Sequence, residues 1–357
     1  MDRSEIVLAC DRVLSDLRSD PRFGHTTHLL VIIDGRPVVD EHLHGPVVGD
    51  VFSVTKSILA TVLAVMASRG LLPDLDRPMS EVLAGLRGLP AETHTWRDVL
   101  TMTRGARVDG PWEFDEVAAL AGGQVARIAS APQLTPPGTK FDYDDCGPHL
   151  VSAATAEILG ESVGDFAARE LFGPLGLGDV RWPADPDGVS WGSAGVAMSA
   201  RDLGRLGELW LAGGSIAGRR LLEPGFFAAM TTLQSAGGPP ENVPYGFLTW
   251  LPPDLIMAGG WAGQHLLVVP RARAVVVSTG DPGFSLGPPA SDRLPPDWQP
   301  ALTLIREHLL PVLLGRAALT SAGPRDSTPG TARRAAEPGT APPAAPRPSA
   351  DLPRPTA

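Results

Sequence analysis

A chain of 357 residues with 43% apolar content and a net charge of −10 is large enough to bury a core and enclose a deep pocket. With no Lys/Arg-rich stretch in its body, that negative balance argues against nucleic acid or an anionic membrane surface as the main partner and leaves a small molecule. Cys10 and Cys146 are the only cysteines, too few and too isolated for a disulfide framework or a thiolate metal site, and both are expected to stay reduced.

Met1 to Arg18 mixes Asp2, Arg3, Glu5, Asp11, Arg12 and Asp16 with Ile6, Val7, Leu8, Val13 and Leu14, the pattern of an amphipathic helix rather than of a signal peptide. The longest strongly apolar stretch, Ile58 to Ala67, is about half of the ~20 residues needed to cross a bilayer, so a cytoplasmic location is expected. From His28 to Val39 the chain reads strand, turn, strand around Asp34-Gly35, a strong hairpin signal. Ser57 to Arg69 is a helix apolar almost all round, hence buried, ended by Gly70 and Pro73.

Helical periodicity dominates from Trp96 to about Leu233, as in Ala153 to Leu159 and Leu203 to Leu211, with Gly/Pro loops between. Strand signals return at Gly246 to Leu251, His265 to Val269 and Ala274 to Thr279, the last two separated by Pro-Arg-Ala-Arg. Ala301 to Leu314 reads as a final helix against the sheet. The Pro- and Ala-rich residues 316–357 lack large apolar side chains and are expected to be disordered. The expected fold is α/β (α+β): an antiparallel sheet flanked by helices, from about residues 1–61 and 231–315, with an all-helical subdomain inserted at about 62–230.

The chemistry begins at Val51-Phe52-Ser53-Val54-Thr55-Lys56-Ser57, a Ser-x-x-Lys motif at the mouth of the buried helix. Residues three apart on a helix have Cβ atoms ~5–6 Å apart, so the Lys56 amine can fold back to the Ser53 hydroxyl. The helix N-terminus adds backbone N–H groups and a positive dipole end that favour an alkoxide and a later oxyanion. Lysine is a base only if its pKa falls well below its free value, and burial among Ile58, Leu59 and Leu63 is expected to lower it. Lys56 and Lys140 are the only lysines in a chain that otherwise uses arginine, which cannot be deprotonated at working pH.

A second element, Pro136 to Asp145, holds Tyr143, one of two tyrosines. Its phenol could relay a proton to the leaving group, or it could anchor a loop before the next helix. A third, Met257-Ala258-Gly259-Gly260-Trp261-Ala262-Gly263-Gln264, is a glycine-rich approach to a strand. It could bring a backbone N–H to a bound carbonyl and complete an oxyanion hole with Ser53, or it could be an ordinary bulged loop.

Together these elements resemble the serine β-lactamase and penicillin-recognising superfamily, in its class C and esterase-like branch, most closely the 6-aminohexanoate-dimer hydrolase type. The resemblance runs to about Gly315. Besides Ser53 to Lys56 it includes Leu100 to Gly105, Pro137 to Tyr143, Met198 to Leu203, Tyr245-Gly-Phe and Gly260 to Gln264. It implies the β-lactamase/transpeptidase-like fold, an acyl-enzyme on Ser53, proton transfer shared by Lys56 and Tyr143, and an oxyanion hole from the Ser53 and Trp261 N–H groups, with Gly260 beside it. No metal or organic cofactor is implied.

Two departures stand out. Where the family has Tyr-x-Asn the chain has Tyr143-Asp144-Asp145, replacing an amide with a group that, ionised, only accepts. A carboxylate at Asp145 near Lys56 would raise the lysine pKa by ~1–3 units, so either Asp145 points away or Tyr143 carries more of the base role. In the third motif Ala258-Gly259-Gly260 lacks the family's cation, which argues against β-lactams and D-Ala-D-Ala peptides with their carboxylates as substrates.

Other candidates are weaker. Gly188-Val-Ser190-Trp-Gly192 fits a nucleophile elbow but lacks the preceding strand. His42 and His44 have no companion set with metal-site spacing and read as a solvent-facing strand edge. His149 and His265 could line the pocket or be structural. Trp112, Glu113 and Phe114 either overhang the pocket as substrate contacts or form a plain connecting loop. The expected activity is cleavage of a small-molecule ester or amide through acyl-Ser53, the alternatives being acyl transfer to an amine or alcohol and a non-catalytic binding protein that retains the fold.

Overall fold

A computed structural model describes residues 3–281 and 297–315; the expectation for residues 316–357 lies outside them. Helix α1 (Arg3–Ser19) buries Ile6, Ala9, Cys10, Val13 and Leu17, one stripe at helical spacing. Strand β1 (Thr26–Ile33) turns into β2 (Arg36–His42) through Asp34 and Gly35, at φ 49° and 73°. Two left-handed residues in a two-residue loop match the twist of a hairpin. Pro37 sits in β2, an edge strand, where a missing N–H removes no ladder bond needed by a neighbour.

After β3 (Val48–Asp50) comes α2 (Val54–Ser68), with every residue from Val54 to Met66 buried. It starts three residues earlier than the periodicity suggests, so Ser53 is its N-cap. The chain then builds a helical layer from α3 (Trp96–Leu100), α4 (Phe114–Ala118), α5 (Gln124–Ala129), α6 (Gly147–Leu159), α7 (Val163–Ala167) and α8 (Gly173–Leu175).

Strand β4 (Ala197–Ser199) returns to pair with β3, Asp50 opposite Ala197, and α9 (Ala200–Leu211) follows from a Ser199/Asp202 capping box. Helix α9 packs on the main sheet rather than among the helices of residues 96–175, so the chain is back at the sheet well before residue 230. Next come β5 (Ser215–Ile216), β6 (Arg219–Arg220), α10 (Pro224–Thr231), β7 (Ser235–Gly238) and β8 (Val243–Tyr245).

The sheet is completed by β9 (Ile256–Gly260), β10 (Gln264–Val269) and β11 (Ala274–Gly280), in the antiparallel order β2-β1-β11-β10-β9. Leu30 and Val277 face each other across β1 and β11, as do Leu266 and Val277 across β10 and β11. Both faces of these central strands are buried, Leu29 and Val31 as fully as Leu30. A helical run at 302–313 packs with α1.

The expected strand at Gly246 to Leu251 is a turn in which only Trp250 bridges, to Tyr245 on one side and Met257 on the other. Its backbone is spent elsewhere: the Leu248 N–H donates to Leu100 and its carbonyl accepts from Ser57 Oγ at 2.6 Å, with Leu248 at φ 48°. No helix among the described residues is long and apolar enough to cross a membrane.

Candidate active site

Ser53 sits on a tight elbow between β3 and α2. Phe52 takes φ 46°, a left-handed conformation that costs a bulky residue about 1 kcal/mol or more. Asp50 holds it there, its Oδ1 accepting from Phe52 N–H at 2.7 Å and from Gly195 N–H at 3.2 Å. Thr55 Oγ1 accepts from Val196 N–H at 3.2 Å and the Val51 N–H donates to the Val196 carbonyl at 2.8 Å, so the elbow and the chain at 195–196 are tied at three points.

One turn into α2, Lys56 is 2% exposed, and its Nζ donates to Ser53 Oγ at 2.8 Å, Asp145 Oδ1 at 2.9 Å and the Ser193 carbonyl at 3.1 Å. Three acceptors for three N–H groups make a satisfied ammonium. Burial alone would lower the lysine pKa as expected from sequence, but the Tyr143 phenol and the Asp145 carboxylate outweigh it and raise it. The expected lowering is therefore corrected. Of the two alternatives for Asp145, pointing away is excluded.

Tyr143 and Asp145 are held by what lies between them. Asp144 forms a buried ion pair with Arg104, and its Oδ1 accepts from Cys146 N–H at 3.0 Å and Gly147 N–H at 2.8 Å at the start of α6. Tyr143 stacks on Trp250, with centroids 5.4 Å apart and 17° between planes, and its ring centroid lies 5.1 Å from Lys56 Nζ. Burial raises the phenol pKa, and Lys56 works against that shift, as does hydrogen bonding with Ser53 and Lys56.

Gly260 closes the other side. A Cβ there would stand 2.3 Å from the Val51 carbonyl and 3.3 Å from the Ser53 nitrogen, so only glycine lets the end of β9 come this close to the elbow. Val54, Thr55 and Lys56 N–H groups donate to the carbonyls three residues back. Ser53 N–H makes no such bond among the described residues. Trp261 is 48% exposed and meets Phe52 edge-on at 5.2 Å.

Phe52, Ser53, Lys56, Asp145 and Trp261 border a cavity of about 450 Å³ that also takes in Glu113, Phe114, Asp115, Ser193 and Ala194, while Tyr143 and Gly260 stand behind its wall. Trp112 is not in its wall, for its Nε1 donates to Ser130 Oγ at 3.3 Å. Ser193 and Asp115 escape sequence reasoning: nothing in the composition around them marks a contact made by a backbone carbonyl or a helix-edge carboxylate.

The loop carrying Ser193 is clamped from beneath. His149 accepts from Gly192 N–H at Nδ1 (3.3 Å), donates from Nε2 to Asp185 Oδ2 (2.9 Å) and stacks on Trp191, so its role is structural. Ser190 is 2% exposed and its Oγ accepts from Gly164 N–H, which removes it as a nucleophile. His265 is buried, its pKa pushed down to about 4, and His42 hydrogen-bonds the Gly45 carbonyl. Among the described residues no group of three or more His, Cys, Asp or Glu could hold a metal ion.

Among curated proteins, a D-aminopeptidase of Cereibacter sphaeroides is 27% identical over 157 residues, or 37% of this chain and 28% of that protein. The match thus spans little more than a quarter of the relative's length. Among solved structures, a Bacillus anthracis protein described as a 6-aminohexanoate-dimer hydrolase superposes with a TM-score of 0.70 at 17% identity, covering 84% of this chain and 81% of its own. A penicillin-binding protein homologue from Caulobacter crescentus gives 0.62 at 18%, covering 77% and 91%. EstCE1, a hydrolase with promiscuous acyltransferase activity, gives 0.62 at 16%, covering 78% and 94%. At these identities the likeness is one of fold. The Beta-lactamase family profile matches residues 26–284, from the first sheet strand past the last and across the whole Ser53 site, and the chain belongs to that family.

Proposed function

We propose that the protein is a serine hydrolase that cleaves a small-molecule ester or amide through an acyl-enzyme on Ser53. The observation that carries this reading is the 2.8 Å contact between Ser53 Oγ and the buried Lys56 Nζ, at a helix mouth whose amides favour negative charge. With Lys56 paired to Asp145, the acting base is the coupled Tyr143–Lys56 pair once it has lost one proton, and its apparent pKa belongs to the pair.

In that state the Ser53 proton passes to the pair as the Oγ–carbon bond forms and the carbonyl oxygen becomes an oxyanion against the Ser53 and Trp261 N–H groups. Collapse breaks the bond to the leaving group, which takes the proton. Water then attacks the acyl-serine by the same route in reverse. The aromatic wall of Phe52, Phe114 and Trp261 suits an apolar portion of the substrate.

Labelling with a fluorophosphonate probe tests the reading. Wild type should be modified at Ser53, while Ser53→Ala should not, and an unlabelled wild type would refute it. Transfer of the acyl group to an amine or alcohol uses the same intermediate and is the second reading. Product analysis with and without an added amine separates the two.

A further inference from the structure

We propose that Gln264 is a positioning residue for the oxyanion, its side-chain amide fixing the hairpin turn that carries the Trp261 N–H. The inference rests on the Ser53 reading above and deepens it by naming what holds the second donor. Two residues with side chains take left-handed backbone beside the two assigned donors, Phe52 at φ 46° just before Ser53 and Ala262 at φ 58° just after Trp261. That conformation is disfavoured for a residue with a Cβ and persists only where the surroundings enforce it. Asp50 enforces it at Phe52, accepting from the Phe52 N–H at 2.7 Å.

At Ala262 the enforcing side chain is Gln264. Trp261, Ala262 and Gly263 join β9 to β10, with Gln264 opposite Gly260 at the base of the turn. The pairing of β10 with β11 begins at His265, opposite Ser278, which leaves Gly280 at the end of β11 without a β10 backbone partner in that ladder. The Gln264 amide fills the gap. Its Nε2 donates to the Gly280 carbonyl at 2.7 Å and its Oε1 accepts from the Gly280 N–H at 3.2 Å, the two bonds that a paired strand residue exchanges.

Two further contacts moor the turn to the same strand. Ser278 Oγ donates to the Gly263 carbonyl at 3.1 Å, and the Ala262 carbonyl lies so close over Gly280 that a Cβ there would not fit. Gln264 is 1% exposed and lies outside the cavity wall, so it acts through the turn and not on the substrate. Releasing the turn from β11 lets the Trp261 N–H drift relative to Ser53, and an oxyanion donor works only over a narrow range of distance.

Labelling by an alkyl fluorophosphonate and by its P=S counterpart tests this. In both, Ser53 Oγ attacks phosphorus, its proton passes to the Tyr143–Lys56 pair and fluoride leaves. The phosphoryl oxygen takes the oxyanion position in the first probe, whereas the sulfur of the second is a weak acceptor that gains little from N–H donors. The ratio of the two rate constants on one preparation therefore reports the donors, because nucleophile, base and folded fraction are common to both.

In Gln264→Leu, which removes both bonds to Gly280, the oxygen-over-sulfur ratio should fall about tenfold below that of wild type. Ser278→Ala, which removes one tie, should lower it about threefold and carries the test where the first variant does not fold. An unchanged ratio in folded Gln264→Leu, or in Ser278→Ala where it stands alone, would overturn the inference even if both rates drop, since Gln264 would then serve only the fold, and the serine-hydrolase reading would stand. A wild type that neither probe labels would remove that reading and the inference with it.

Discussion

Lys56 Nζ lies 2.9 Å from Asp145 Oδ1, a carboxylate at the position where the family resemblance implies a neutral amide. The ion pair sits beside the nucleophile, and half of the Asp145 side chain is exposed while Lys56 is 2% exposed. One partner is thus screened by water and the other is not. The charge on Lys56 is stabilised at the expense of its capacity to accept a proton.

Asp145→Asn should therefore move the rising limb of the kcat/KM profile to lower pH. The Tyr143 phenol and Asp145 both raise the Lys56 pKa above its ordinary value, and deleting one of them lowers it, so the deprotonated pair is more populated at any given pH. The expected shift is about one unit, the small end of the range for a nearby opposite charge because Asp145 is half-exposed. A pH–rate profile of both enzymes checks it, and superimposable curves would show that Asp145 is not coupled to the base.

Asp144→Asn tests the support of the same loop. Burial works against the Asp144 charge, but Arg104 and the amides of Gly147 and Cys146 outweigh it and hold the carboxyl below its ordinary 3.8. A folded pKa below the unfolded one contributes stability that is present above the unfolded value and lost as pH falls through the folded one. The variant strands Arg104, which is 2% exposed, as an uncompensated buried charge. It should lose about 3–5 kcal/mol near neutral pH in urea denaturation, and a loss under about 1 kcal/mol would mean that Arg104 finds another partner.

Gly260→Ala should spare the fold more than the chemistry. Its Cβ would fall 2.3 Å from the Val51 carbonyl, forcing β9 away from the elbow and separating the two N–H groups assigned to the oxyanion. Loss of one such donor costs about 10²- to 10³-fold in kcat. Steady-state rates with an activated ester read this directly, and an unaffected kcat would place the second donor elsewhere.

How much of this was legible in the sequence depends on the range of the interaction. The Asp34-Gly35 turn, the apolar α2 helix and the Ser53/Lys56 spacing are local, so pattern alone locates them. The strand expected at Gly246 to Leu251 fails because its backbone partners, Leu100 and Ser57, are about 150 to 190 residues away, where no local pattern reaches. The Lys56 pKa direction fails for the same reason. Neighbouring Ile58, Leu59 and Leu63 argue for a neutral amine, whereas Tyr143 and Asp145, brought against it only by the fold, outweigh that burial. Trp112 was one residue from the segment that lines the cavity, since only the turn into α4 decides which of 112–115 faces inward.

His149→Phe would show whether the clamp beneath Ser193 matters to the reaction. The imidazole accepts from Gly192 at Nδ1 and donates to Asp185 from Nε2, two bonds that only its neutral form makes together. Burial outweighs the pull of Asp185 and lowers its pKa below the ordinary 6.5, so this clamp stabilises the fold above the unfolded value and weakens as pH falls below it. Phenylalanine keeps the volume and the stacking on Trp191 but strands Asp185 Oδ2 and the Gly192 N–H, which should cost about 1–3 kcal/mol each. Because Gly192 adjoins Ser193, whose carbonyl takes one of the three Lys56 N–H groups, the loosened loop should also slow fluorophosphonate labelling of Ser53 several-fold under conditions where the variant remains folded. Destabilisation without any change in labelling rate would mean that the Ser193 carbonyl is held by Lys56 and the ties of Asp50 and Thr55 to residues 195–196, and not by the histidine below.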